Sequence, residues 1–123
     1  MTKKKILALD DDDMILDYLN RKLSESDEIV TSTNASLAVQ LALHEKPDLI
    51  LCDIDMPGVD GGEVCAALAS NTTTALIPFL YLTSIVTANE AWEMGGMVGG
   101  RPGIGKDAPL PELIWAIEKM LNR

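Results

Sequence analysis

The sequence predicts an α/β fold, a doubly wound sheet of five parallel strands with helices on both faces. Three observations predict it. Short apolar runs and amphipathic helical patterns alternate five times along the 123 residues. The central run, Leu49 to Cys52, is apolar throughout and bounded by Pro47 and by Pro57-Gly58; it is too brief for a buried helix and reads as a strand buried on both faces. Polar residues stand where these runs end, the position at which ligands bind in open α/β sheets.

The run Lys5 to Leu9 has strand length, and four aspartates, Asp10 to Asp13, follow it at once. From Asp13 the pattern becomes helical, with Ile15, Leu16, Leu19 and Leu23 on one face and acids near the start, where the helix dipole favours them. Ser24 to Asp27 form a polar loop, and Glu28 to Ser32 a weak second strand. Asn34 reads as the N-cap of a helix through Leu37, Val39, Leu41 and Leu43 that closes before Pro47.

After the central strand, Asp60-Gly61-Gly62 leads into a small-residue helix, Glu63 to Ala69, stopped by Ser70 to Thr74. Pro78 opens a fourth strand, Phe79 to Leu82, with Thr83-Ser84 at its tip. The fourth helix, Ala88 to Met94, and the fifth strand, Gly103 to Gly105, are expected to be irregular, since each glycine costs a helix about 1 kcal/mol relative to alanine. Lys106 follows as a tip residue. A last helix runs from about Leu110 to Leu121, with Pro111 in its first turn and Leu113, Ile114, Ile117 and Leu121 on one face.

Composition bounds the function. The length is that of a single domain, residues 1–123, and 47% hydrophobic residues with 24% charged argue against disorder. A net charge of −9 has the wrong sign for binding nucleic-acid phosphates or anionic lipid. Direct contact with nucleic acid is not expected. Lys3-Lys4-Lys5 is followed by an apolar run that ends in aspartates, so it does not open a signal peptide, and no stretch approaches the ~20 apolar residues of a membrane span. Cys52 and Cys65 lack metal-site spacing and read as buried thiols, which fits a reducing, cytoplasmic setting. His44 reads as an exposed helix-end residue, Met56 and Met97 as packing, and Trp92 and Trp115 as partly exposed anchors.

Right-handed crossovers put the tips of parallel strands on one edge. Asp10, Asp11, Asp53, Thr83, Ser84 and Lys106 can therefore converge, although they are scattered through the chain. Carboxylates ~4 Å apart repel by roughly 4 kcal/mol per pair at an effective dielectric of 20, so the cluster needs a cation. Oxygen ligands without His or Cys suit Mg²⁺. A hydroxyl at Thr83, a small residue at Ser84 and the Lys106 ammonium would complete a site for a phosphoryl group. Asp12 and Asp13 read as cap and dipole residues.

Five stretches, Ile6 to Asp12, Lys46 to Asp53, Asp55 to Gly61, Ile77 to Ser84, and Lys106, carry a resemblance over nearly the whole chain. It resembles a response-regulator receiver domain, similar to the chemotaxis receiver, with a flavodoxin-like fold. The resemblance implies that Asp53 accepts a phosphoryl group from a sensor histidine kinase, a phosphotransfer protein or acetyl phosphate. It implies Mg²⁺ on Asp11, Asp53 and the Asp55 backbone carbonyl, with Asp10 acting through water or a hydrogen bond. Lys106 would pair with Asp53 and then with the phosphoryl oxygens, which Thr83 and the Ser84 N–H would hold. Movement of Thr83 would pass the signal to an unidentified downstream protein. The acyl phosphate would be hydrolysed slowly by the domain itself, at a rate tuned at Asp55 and Ile85, so the chain is not read as an enzyme.

Three departures from the family pattern stand out. Gly103 replaces the aromatic switch residue three places before the lysine, so coupling of that style cannot operate as such. Asp107 replaces the proline after the lysine, whose peptide bond is normally cis, and that loop is expected to take another path. Gly95 to Gly105 is expected to make the output face mobile or remodelled. Two other classes compete with a phosphorylated receiver. One is a pseudo-receiver that binds partners without phosphorylation. The other is a haloacid-dehalogenase-type phosphatase, suggested by Asp53-Ile-Asp55. No output domain follows Arg123, which reads as either a stand-alone receiver or a piece of a longer protein.

Overall fold

A computed structural model of the chain describes residues 3–53, 55–56, 59–83, 97–98 and 101–122. Strands β1 (Lys5–Leu9), β2 (Glu28–Ser32) and β3 (Leu49–Asp53) are joined by helices α1 (Asp13–Leu23) and α2 (Ala38–Glu45). A two-residue hairpin, β4 (Asp55–Met56) and β5 (Val59–Asp60), precedes α3 (Gly61–Ala69). Then come β6 (Phe79–Thr83), β7 (Met97–Val98), β8 (Arg101–Gly105) and α4 (Leu110–Met120).

The main sheet has the order β2-β1-β3-β6-β8-β7. Five of its strands are mutually parallel, and β7 adds a short antiparallel edge beside β8. All five residues of β3 are buried, as expected of a central strand covered on both faces. One layer packs Ile6, Ala8, Leu49, Leu51, Leu80, Leu82 and Ile104 against Leu16, Leu19 and Leu23 of α1 and Leu113 and Ile117 of α4. The other packs Leu7, Leu9, Ile50 and Cys52 against α2 and α3 through Ala38, Ala42, Val64 and Leu68. The double winding follows from this even division of alternate residues.

Local chemistry explains the boundaries. The Asp12 carboxylate accepts the Met14 N–H at 2.9 Å and caps α1. Asn34 caps a 3₁₀ turn, Ala35–Leu37, that leads into α2. Lys46 ends α2 in the left-handed conformation at φ 50°, and Pro47 stops the helix from continuing. Thr74, 1% exposed, donates to the Leu68 carbonyl at 2.6 Å and ties the turn after α3 to the core.

The fifth strand is more regular than its glycines suggest. Gly103, Ile104 and Gly105 pair in parallel register with Tyr81, Leu82 and Thr83, so the ladder of β6 supplies what side chains do not. The expected fourth helix, and most of the glycine-rich stretch expected to be mobile, lie outside the described residues, as does Trp92. Trp115 is 57% exposed, with the Lys119 ammonium 5.0 Å from its ring centroid. His44 is exposed at the end of α2, with Nδ1 3.0 Å from a Glu45 carboxylate oxygen. Met56 is buried, while the Met97 side chain lies outside the described set.

Candidate functional site

The tips of β1, β3 and β8 bring Asp10, Asp11, Asp53 and Lys106 together, with Thr83 at the end of β6 between β3 and β8. Asp10 follows β1, Asp53 ends β3, Thr83 ends β6 and Lys106 follows β8. Asp10 is 0% exposed, and its backbone N–H donates to the Ser32 carbonyl at 3.2 Å, which seats the residue between β1 and β2. Oδ1 of Asp10 accepts the Asp12 N–H at 2.9 Å. Its Oδ2 lies 2.7 Å from the Lys106 ammonium, and an Asp53 Oδ2 lies 3.2 Å from the same nitrogen.

Lys106 therefore bridges two buried carboxylates. Burial pulls its pKa down, but the hydrogen bond and charge of Asp10, and then those of Asp53, outweigh burial and leave it raised above its ordinary 10.5. The ammonium is charged throughout the physiological range. Its backbone N–H donates to the Thr83 carbonyl at 2.7 Å, and the Ala108 N–H donates to Gly105 at 3.1 Å. These bonds aim the side chain without a proline at residue 107, and the Lys106–Asp107 bond is trans.

Asp10, Asp11 and Asp53 each offer one carboxylate oxygen, all within 4.8 Å of one another. Asp11 is exposed and the other two are buried, so the cluster opens at the rim. Among the described residues, one lysine stands against these three carboxylates. That imbalance, with oxygen donors alone, fits a hard divalent cation. Thr83 is 0% exposed at the same edge. The Asp55 backbone lies in β4, but its side chain, together with Ser84 and Ile85, lies outside the described residues.

Cys52, next to Asp53, donates through Sγ to the Asp53 carbonyl at 3.3 Å. Burial first, and then the charges of Asp53 and Asp10, push its pKa up to about 12. It is a packing residue, as is buried Cys65. Sequence reasoning missed the close Asp10–Lys106 pair. It could be found only with the strand order, which seats β1 beside β3. An open groove of about 570 Å³ between α1 and β2, lined by Asp13, Asp17, Asn20 and Thr31, includes none of the clustered carboxylates.

Comparison with known proteins agrees with this geometry. The model of the response regulator receiver domain family matches residues 6–118. The chain is similar to the response regulator PleD of Caulobacter vibrioides, at 37% identity over 82 residues, 66% of this chain and 18% of that protein. It is similar to RpaA of Synechocystis, named as a DNA-binding dual master transcriptional regulator, at 35% identity over 97% of this chain and 49% of that protein. The chain thus spans half or less of the length of these relatives. The exclusion of nucleic acid drawn from charge is too broad, since a relative of this chain is named as DNA-binding.

Among solved structures, the Vibrio cholerae chemotaxis protein CheY4 superposes with a TM-score of 0.81 at 26% identity, covering 98% of this chain and 100% of that one. The likeness of Asp53-Ile-Asp55 to a phosphatase motif has no such support, since Asp53 ends the third strand and the match runs to receivers along the whole sheet. No helix among the described residues is long and apolar enough to cross a membrane. The partly buried lysine, the three acids at one sheet edge and the family match lead to one conclusion: the chain belongs to the response regulator receiver domain family.

Proposed function

We propose that residues 1–123 form a single phosphoacceptor domain of a two-component signalling system, with Asp53 as the acceptor. The observation that carries this reading is the Asp53 carboxylate 3.2 Å from the Lys106 ammonium, with Asp10 and Asp11 oxygens within 4.8 Å. An Asp53 oxygen attacks the phosphorus of a phosphohistidine on a sensor kinase or phosphotransfer protein, or of acetyl phosphate. A P–O bond to Asp53 forms as the P–N bond, or the P–O bond to acetate, breaks. The leaving imidazole takes up a proton, whereas acetate leaves as the anion.

Asp10, Asp11, Asp53 and Asp55 would hold Mg²⁺, which when bound offsets the charge of the carboxylates and of the phosphoryl oxygens. Lys106 holds a fixed positive charge beside the transferred group. Asp10, with one oxygen on Lys106 and the other on the Asp12 N–H, keeps that ammonium aimed. Thr83, and the Ser84 N–H beyond it, hold the phosphoryl oxygens. The acyl phosphate is then lost slowly to water, so the domain acts as a timed switch for a downstream protein in the cytoplasm rather than as a turnover enzyme.

The unphosphorylated pseudo-receiver reading drew on the altered region around Lys106. The ion pairs of Lys106 with Asp10 and Asp53 weigh against it. Incubation with Mg²⁺ and acetyl phosphate followed by intact-mass measurement tests the proposal. One added phosphoryl mass, absent with Asp53→Asn and without Mg²⁺, is expected. No adduct, with a competent histidine kinase supplied as well, would overturn it.

A further inference from the structure

The main sheet ends in an open edge at β2, which has β1 as its one neighbour among the described residues. The Glu28 N–H donates to the Lys4 carbonyl and the Ser32 carbonyl accepts the Asp10 N–H, so in this parallel ladder the backbone of Glu28, Val30 and Ser32 faces β1. The N–H and C=O groups of Ile29 and Thr31 therefore point outward. Among the described residues nothing bonds to them. Neither proline nor lysine, the residues that blunt such edges, stands in Glu28–Ser32. Ile29 and Val30 are half-buried, and Thr31 is exposed.

We infer that this edge pairs with the same edge of a second copy of the chain, antiparallel about Val30 and without phosphorylation. The register is self-complementary. Ile29 exchanges both backbone bonds with Thr31 of the copy, and Thr31 with the copy's Ile29, so every outward group of both strands is satisfied. Val30 meets its own counterpart at a non-hydrogen-bonded position, where Cα atoms approach to about 4.5 Å. Glu28 falls opposite Ser32, so β-branched residues pair and no like charges do.

Charge favours the same arrangement. A two-fold axis through Val30, normal to the sheet, sets the two α1 helices side by side and antiparallel on one face. Helix α1 carries Asp13 in its first turn and Arg21 and Lys22 in its last, so each copy brings its basic end to the other's acidic end. Asp13 and Asp17 also line the open groove beside β2, on the side from which Arg21 and Lys22 of the copy arrive. The net charge of −9 opposes association, but at physiological salt charges more than about 8 Å apart are largely screened. A single strand edge buries less surface than a standard interface, so the dimer is a weak one.

Sedimentation equilibrium of the unphosphorylated chain, at up to about 0.5 mM, is expected to show a rise toward the mass of two chains. Thr31→Pro removes an outward N–H and leaves the ladder with β1 intact, so this variant, its folding checked by urea unfolding, is expected to keep the mass of one chain. Val30→Cys tests the register separately. With oxidised glutathione it is expected to form a cross-linked dimer about tenfold faster than Glu28→Cys, whose sulfurs lie far apart along the paired strands. The wild type is expected to give none, since Cys52 and Cys65 are buried. A one-chain mass at every concentration, a dimer undiminished by Thr31→Pro, or equal cross-linking from positions 28 and 30 would overturn the inference.

Discussion

Replacing Asp11 by asparagine is expected to make the Mg²⁺-free protein more stable, although it removes a residue of the site. The three carboxylate oxygens lie within 4.8 Å of one another, and at an effective dielectric of 20 each pair at that distance repels by ~3.5 kcal/mol. The Lys106 ammonium offsets this for Asp10 at 2.7 Å and Asp53 at 3.2 Å. Among the described residues no cation stands within ion-pair distance of Asp11. Because Asp11 is exposed, water screens its two repulsions toward ~1 kcal/mol each, and the gain on neutralising it is about 2 kcal/mol.

Urea unfolding in EDTA and in excess Mg²⁺ measures this. With a slope of about 2 kcal/mol per molar urea, the midpoint of Asp11→Asn should rise by about 1 M in EDTA. Mg²⁺ at a hundred times its dissociation constant should stabilise the wild type by about 2.7 kcal/mol and the variant by far less. If Asp11→Asn were less stable than wild type in EDTA, or if Mg²⁺ raised both equally, the account of a repulsive cluster held for a divalent ion would be wrong.

Two further outcomes follow from the same geometry. Lys106→Met leaves Asp10 buried without its cation and should cost about 3 kcal/mol in denaturant unfolding. That is the low end of the range for breaking a buried pair, because the lysine side chain is 15% exposed; an unchanged midpoint would show that the pair carries no such load. The Cys52 thiol, pushed up to about 12, should resist alkylation by iodoacetamide at pH 8 in the folded protein and react on unfolding. Its folded pKa lies above the ordinary 9.0, so the folded state keeps a proton that the unfolded state loses. Stability is therefore expected to fall as pH rises from 9 toward 12. Rapid alkylation of Cys52 in the native state at pH 8 would contradict this.

Most of the fold was legible where side chains report burial. Lys5–Leu9, Leu49–Asp53 and Phe79–Thr83 are strands because their short apolar runs suit a sheet covered on both faces, and aspartates mark where two of them end. The α1 stripe of Leu16, Leu19 and Leu23 announced its own face. Gly103 and Gly105 carry no such signal, since a glycine shows no preference for either face, and β8 exists because β6 offers it a ladder. The pairing of β4 with β5 left no signal in the sequence, since two-residue strands are too short to show a period. At the site, the meeting of Asp10, Asp11, Asp53 and Lys106 followed from strand tips alone. How they pair did not, because the 2.7 Å contact of Lys106 with Asp10 depends on the lateral order of strands.

The central claim is that Asp53, and no other acid of the cluster, carries the phosphoryl group. Sodium borohydride reduces an aspartyl phosphate to homoserine, so treating the Mg²⁺ and acetyl phosphate reaction with it and sequencing the peptides by mass marks the acceptor directly. Homoserine at position 53, dependent on Mg²⁺, is the predicted result; homoserine at 10, 11 or 55 with aspartate intact at 53 would contradict the account.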